Sequence, residues 1–246
     1  MSRWDPTYSN YIASKIDVIL GFRKINLNHG QRMELIQRIL AKPTVDVIRE
    51  AYKINPSAKP NKVKINSLIL RDLDPSLKHL STFRDERIGV FQVSYKGHMA
   101  VLKVTAKSHP WAYGCIENEI KILRLLTDCP GTPKLIKVYK IKHHSTTYRA
   151  LLREFISGST LSRKRTISKK DINNLTKLVK SCHRRGVARL DIFGDNVVYC
   201  RDKCFLIDFG SAIKKSDLPI ERFNYFKKTD MADIKWLPRL LRIKKI

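Results

Sequence analysis

Asp191-Ile192-Phe193-Gly194-Asp195-Asn196, followed after two short apolar runs by Leu206-Ile207-Asp208-Phe209-Gly210, is the stretch that decides how this chain is understood. The apolar runs flank Arg201-Asp202-Lys203 and have the length of two short strands joined by a polar turn. Upstream, apolar spacing predicts a helix from about Lys169 to Arg185, which the Gly186-Val187 break ends. Taken alone, Asp208-Phe209-Gly210 is an ordinary turn at a strand end, and its weight comes from what surrounds it.

Working outward, Val90 to Tyr95 and Met99 to Val104 have strand character and are joined by a turn at Lys96-Gly97. A helix follows in which Ile116, Ile120, Leu123 and Leu126 form one apolar stripe. Lys134 to Ile141 and Ala150 to Ile156 predict two further strands, separated by the polar turn His143 to Thr147. Residues 1 to 78 are helical in pattern instead. Ile12, Ile16, Ile19 and Leu20 share a face, as do Leu35, Ile36, Ile39 and Leu40. Pro43-Thr44 restarts a helix carrying Val45, Ile48 and Tyr52, and Asn55-Pro56-Ser57 and Lys59-Pro60-Asn61 mark turns before Leu68-Ile69-Leu70. Short helices on a basic background are compatible with a helix-turn-helix that contacts nucleic acid, and equally with a plain helical packing module.

The chain has 246 residues, 43% of them hydrophobic, which is enough for a packed core. Its 49 basic against 22 acidic residues give a net charge of +27, spread along the chain. A field of that sign attracts nucleic acid, anionic lipid, nucleotides or acidic protein surfaces; a solvated Lys-rich surface is the plainer explanation. Five cysteines with no paired Cys-x-x-Cys spacing argue against a zinc site or a disulfide framework. Cys200 and Cys204 are expected on neighbouring strand segments as small apolar residues. The start lacks the apolar core of a signal peptide and no run reaches membrane-spanning length, so a cytoplasmic protein is expected, nuclear if the host is eukaryotic.

The order of elements and motifs resembles the protein-kinase superfamily: a catalytic-loop Asp, an Asn five residues on, a strand pair, then Asp-Phe-Gly. That resemblance implies an α+β, two-lobed kinase-like fold over residues 79–246, with 79–156 as the N-lobe and 157–246 as a reduced C-lobe, behind a helical extension at 1–78. It implies Asp191 as the catalytic residue facing an acceptor hydroxyl, and Asn196 and Asp208 as Mg²⁺ ligands beside the phosphates of ATP. Lys103, in Ala100-Val101-Leu102-Lys103, corresponds to the phosphate-binding lysine. Its helix partner is Glu119, with Glu117 a competitor two residues away. Glu154-Phe155-Ile156 resembles the strand that offers backbone groups to adenine, with Glu154 and Ile156 as the contact positions. Arg153 stands where an apolar gating residue is usual, or else the local register is shifted by one.

Several parts depart from the pattern. The glycine-rich loop, aligned from the following strand, has Arg84, Glu86 and Gly89, so only Gly89 survives, and Arg84 or Arg87 would supply side-chain charge in place of backbone amides. Arg189-Leu190 replaces the usual His-Arg before Asp191, and Phe193 replaces a phosphate-contacting Lys. Only 36 residues follow Gly210, room for one helix over about Thr229 to Leu241, with Asp230 or Asp233 as an anchor for the catalytic loop. The shortened tail is similar to that of RIO-type, KEOPS-associated and lipopolysaccharide-core kinases. The implied activity is ATP-dependent phosphotransfer to a protein Ser/Thr hydroxyl. The rivals are a pseudokinase or RIO-like ATPase scaffold that holds nucleic acid or a ribonucleoprotein, and a small-molecule or sugar kinase.

Overall fold

The computed structural model describes residues 16, 27–41, 47–55, 67–85, 87–163, 167–192, 194–201 and 203–242. The chain is mixed α+β and divides into two compact units, one holding residues 1–59, 162–167 and 236–246, the other 60–161 and 168–235.

In the first unit, helices α1 (His29–Ala41) and α2 (Val47–Ile54) are described. Asn28 caps α1 reciprocally with Gln31: Asn28 Oδ1 accepts the Gln31 N–H at 2.9 Å, and Gln31 Oε1 accepts the Asn28 N–H at 3.1 Å. Leu35, Ile36 and Ile39 of the expected face are buried, as is Ile16. Glu50 on α2 is nearly buried and bonds Arg38 of α1 at 3.3 Å as well as Lys53 at 2.5 Å. Ile12, Ile19, Leu20, Val45, the turns from Pro43 to Thr44, Pro56 to Ser57 and Lys59 to Asn61, and the side chains of Leu40, Ile48, Tyr52, Leu68 and Ile69 lie outside the described residues.

The second unit is built on a five-stranded antiparallel sheet in the order β1-β2-β3-β5-β4. Its strands are β1 (Leu77–Asp85), β2 (Gly89–Tyr95), β3 (His98–Ala106), β4 (Leu135–His143) and β5 (Thr146–Glu154). Lys96 and Gly97 both adopt positive φ, 50° and 83°, the left-handed pair that a two-residue hairpin loop needs. That turn fixes the register Tyr95↔His98 and carries it to Val90↔Lys103. On one face, Phe91, Val93, Ala100, Leu102, Val104, Ala150 and Leu152 form a core with Leu77, Tyr139, and Leu70 and Leu73 of α3 (Ser67–Leu73). Strand side chains alternate, so Val101, Lys103 and Thr105 point the other way, toward helix α4 (Pro110–Leu125), whose Ile116, Ile120, Ile122 and Leu123 are buried. With both faces covered, β3 is buried continuously from Ala100 to Ala106.

After β5 the chain forms two small sheets, β6 (Ser159–Thr160) with β8 (Val197–Cys200) and β9 (Lys203–Leu206), and β7 (Val187–Ala188) with β10 (Ile213–Lys214). Cys200 and Cys204 do lie on the neighbouring strands β8 and β9. Helix α5 (Lys169–Arg184) begins at a capping box between Ser168 and Asp171. Helix α6 (Ile220–Arg242) closes the described chain.

Three element boundaries correct the sequence reading. β5 starts at Thr146, so the expected His143–Thr147 turn shrinks to His144 and Ser145. The tail helix begins at Ile220, nine residues before Thr229, and continues through Pro238. β1 gave no strand signal because register breaks at His79/Ser81 and Thr82/Arg84 interrupt its alternation. No described helix is long and apolar enough to cross a membrane.

Candidate active site

Lys103 is delivered by β3 to the face covered by α4, where its Nζ lies 2.6 Å from Glu119 Oε2. The same nitrogen lies 3.2 Å from Asp208 Oδ2. The side chains of Lys103 and Glu119 are 6% and 2% exposed, whereas that of Asp208 is 40% exposed. A buried ammonium is thus held between a buried carboxylate and one that remains open to a ligand. Glu117, the competing partner, turns to Arg149 on β5 instead, at 2.6 Å.

Electrostatics differ between the two carboxylates. Desolvation raises the Glu119 carboxyl above its usual range, against the pull of Lys103 and Arg153. Desolvation also acts against charge on Asp208, but Lys103, the Gly210 amide and Arg84 outweigh it and bring the group down to about 2. Arg84 therefore contributes positive charge at Asp208, although its backbone pairs with Val90 at the end of the β1–β2 hairpin. Gly89 is buried and pairs across the sheet with Asp85 and Val104. The carbonyl of Arg87 accepts the Thr105 hydroxyl at 2.7 Å. Glu86 and Phe193 lie outside the described residues.

Asp191 and Asn196 are tied together: Asn196 Nδ2 donates to Asp191 Oδ2 at 2.8 Å and to the Asp191 carbonyl at 3.2 Å. With its amide nitrogen so engaged, Asn196 has its Oδ1 as the side-chain acceptor atom. The backbone N–H of Ile207 donates to the Asn196 carbonyl at 3.0 Å, fastening the start of the Asp208 turn to the Asn196 turn. Asp208 Oδ1 accepts the Gly210 N–H at 3.0 Å. An ionised carboxylate and an amide oxygen are hard donors, a set that suits Mg²⁺, which characteristically takes one or two protein ligands and completes its shell with phosphate and water. Among the described residues no group of three or more His, Cys, Asp or Glu side chains is arranged for a metal.

The loop before Asp191 is held from α6. Asp230, 2% exposed, accepts the Leu190 N–H at 2.9 Å and the Arg189 N–H at 3.0 Å, and its Oδ2 lies 2.8 Å from His183 Nε2. Asp230, one of the two residues expected to anchor the catalytic loop, bonds it directly. Arg189 and Asp191 have φ of 59° and 46°, a left-handed conformation that L-residues adopt only when surroundings impose it.

No family model matches this chain and no curated protein is found similar to it.

One contributor was not singled out in the sequence. Asn118, beside Glu119 on α4, donates through Nδ2 to the carbonyls of Ala212 at 2.7 Å, Gly210 at 3.2 Å and Phe209 at 3.3 Å. Adjacent residues on one helix therefore hold Lys103 and the segment after Asp208. The clue available was a polar residue flanking an apolar stripe, which is common on any helix. Arg153, noted in the sequence as a charge where an apolar residue is usual, has Val101 as its register partner and a side chain that is 3% exposed. Glu154 has its N–H bonded to the Lys134 carbonyl at 2.9 Å and its carboxylate to the Lys134 N–H at 3.2 Å. Ile156 follows, half buried, in the irregular segment after β5.

Proposed function

We propose that this chain is an ATP-dependent phosphotransferase with a two-lobed, kinase-like arrangement, acting on a hydroxyl of a protein Ser or Thr. The observation that carries the proposal is the single ammonium of Lys103 held 2.6 Å from Glu119 and 3.2 Å from Asp208. Such a group, fixed by one carboxylate beside another that stays open, is suited to neutralising phosphate oxygens. Asp208 and Asn196 would hold Mg²⁺, which supplies further neutralisation of the phosphates. Asp191 accepts the proton of the acceptor hydroxyl as its oxygen bonds the terminal phosphorus and the bond to the nucleoside diphosphate oxygen breaks. Phosphoryl transfer depends on positioning and charge neutralisation more than on covalent chemistry, so this small set suffices in kind. Labelled ATP and a basic test protein, or the chain itself as acceptor, provide the assay. Transfer by the wild type that is lost in Asp208→Ala supports the assignment; no transfer, or equal transfer by Asp208→Ala, refutes it.

A second reading is favoured by the net charge of +27 and by the loss of two of three glycines in the phosphate loop. In it, the chain is a scaffold that binds a polyanion such as RNA and whose nucleotide site serves conformation. Binding to RNA that weakens steeply with salt supports it, and absence of binding at low salt removes it.

A further inference from the structure

Two thiols meet where the turn after α4 packs on α5. Cys129 Sγ lies 3.9 Å from Cys182 Sγ and 3.6 Å from Ser181 Oγ. The cysteines are 53 residues apart in the chain, so no Cys-x-x-Cys spacing announces the pair. Cys182, on α5, is fully buried, whereas Cys129 is 4% exposed and lies between the exposed Asp128 and Pro130. Cys129 is therefore the thiol that a small solute meets first.

The surroundings hold both residues in place. The Cys129 N–H donates to the Leu126 carbonyl at 2.8 Å, and the Thr132 hydroxyl donates to the Cys129 carbonyl at 2.9 Å. Arg185, just past α5, donates through Nη2 to the Asp128 carbonyl at 3.1 Å and through Nη1 to Ser181 Oγ at 2.7 Å. The Ser181 hydroxyl, accepting from Arg185, keeps its own proton for the Cys129 sulfur. Hydrogen bonds from Cys182 and Ser181, with the charges of Arg185 and Arg184, outweigh burial and bring the Cys129 thiol down to about 6. The same hydrogen bond between the sulfurs, together with burial, pushes the Cys182 thiol up. One sulfur is thus prepared as a nucleophile while its neighbour keeps a proton.

We propose that Cys129 and Cys182 form a redox-active dithiol, in which Cys129 attacks a hydroperoxide and Cys182 resolves the product into a disulfide tying the turn after α4 to α5. In the first step the Cys129 sulfur bonds the outer peroxide oxygen and the O–O bond breaks. The departing oxygen leaves as an alcohol, taking up the proton that Cys129 lost, and Cys129 becomes a sulfenic acid. The Cys182 sulfur then bonds the Cys129 sulfur, the S–O bond breaks, and water leaves with the Cys182 proton. Two electrons pass from the thiol pair to the peroxide. Side-chain rotation has to close the 3.9 Å between the sulfurs to the roughly 2 Å of a disulfide.

Hydrogen peroxide added in small portions to the reduced full chain, followed by peptide mass mapping without reductant, tests this. The Cys129 and Cys182 peptides should appear joined, and dithiothreitol should release them. Their thiols should be lost about tenfold faster than that of half-buried Cys200, because the thiolate is the reacting form. In Cys182→Ala, Cys129 should stop at the sulfenic acid and be trapped by dimedone, while in Cys129→Ala the Cys182 thiol should survive the same dose. Oxidation of Cys200 ahead of the pair in the wild type overturns the proposal without recourse to any variant. So do a disulfide that joins other cysteines, and loss of the Cys182 thiol at an unchanged rate in Cys129→Ala.

Discussion

Asp230 on α6 accepts the backbone N–H of Leu190 at 2.9 Å with a carboxylate that is 2% exposed. Its other oxygen takes the Arg189 N–H and faces His183, so three donors converge on one buried group. Flanking Leu190, Arg189 and Asp191 are both left-handed, and each such residue costs on the order of 1–3 kcal/mol that the surrounding contacts must offset. Asp230→Ala should therefore destabilise the chain by about 3–5 kcal/mol, since it strands buried donors, a loss that relaxation of the left-handed residues offsets only in part. Urea unfolding measures this, and Asp230→Asn should fall between the two because an amide offers one accepting oxygen instead of two. A loss under about 1 kcal/mol for the alanine variant would show that the anchor is dispensable.

The Lys103–Glu119 pair makes a second prediction, about asymmetry. Glu119→Ala leaves two buried cations, Lys103 and Arg153, without their shared carboxylate. Breaking a buried pair from one side costs about 3–5 kcal/mol, whereas replacing both partners with apolar groups is often near neutral. Lys103→Met combined with Glu119→Leu should thus be more stable than Glu119→Ala alone, though inactive in the proposed transfer. Equal stability of the two proteins in denaturant titrations would contradict the pairing.

How much of this was legible in the sequence depended on which residues carried a local signal. β2 and β3 were readable because Lys96-Gly97 is a turn dipeptide between alternating runs, and the structure puts both residues at positive φ. β1 was not, because its two register breaks rotate successive side chains off one face. The choice between Glu117 and Glu119 was settled by tertiary contact: the two differ by half a helical turn, and Arg149 took one while Lys103 took the other. Arg153 looked like a misplaced charge. Its place became intelligible only when the sheet register set it opposite Val101, within reach of Glu119 and of its neighbour's carbonyl. Asn118 was invisible for a related reason, since its three acceptors lie over ninety residues away in the chain.

Acid should weaken the fold through Asp208 in a definite direction. The group titrates near 2 in the folded chain against an ordinary value of 3.8, so folding favours its ionised form. Its contribution is complete above about pH 4 and is lost as the pH falls toward 2. Asp208→Asn removes that dependence. The stability gap between wild type and variant should accordingly narrow from about pH 4 downward, and more weakly in high salt because the carboxylate is partly open to solvent. A gap that widens on acidification would reverse the sign of the argument.

Asn118 offers the sharpest local test, because its side chain is bonded to the backbone of one short segment. Ala212 N–H already donates to the Phe209 carbonyl at 3.1 Å, so the segment has a turn of its own that Asn118 reinforces through three carbonyls. Phe209 is fully buried, which keeps the residue itself anchored when those bonds are removed. Asn118→Ala should then leave global stability within about 1–2 kcal/mol of wild type while lowering hydrogen-exchange protection selectively around Gly210 to Ala212. Under the proposed function nucleotide affinity should fall as well, because Asp208 is held in place by the Gly210 amide at 3.0 Å. Unaltered exchange at Gly210 to Ala212 in the variant would mean that the turn holds itself, and that Asn118 only decorates it.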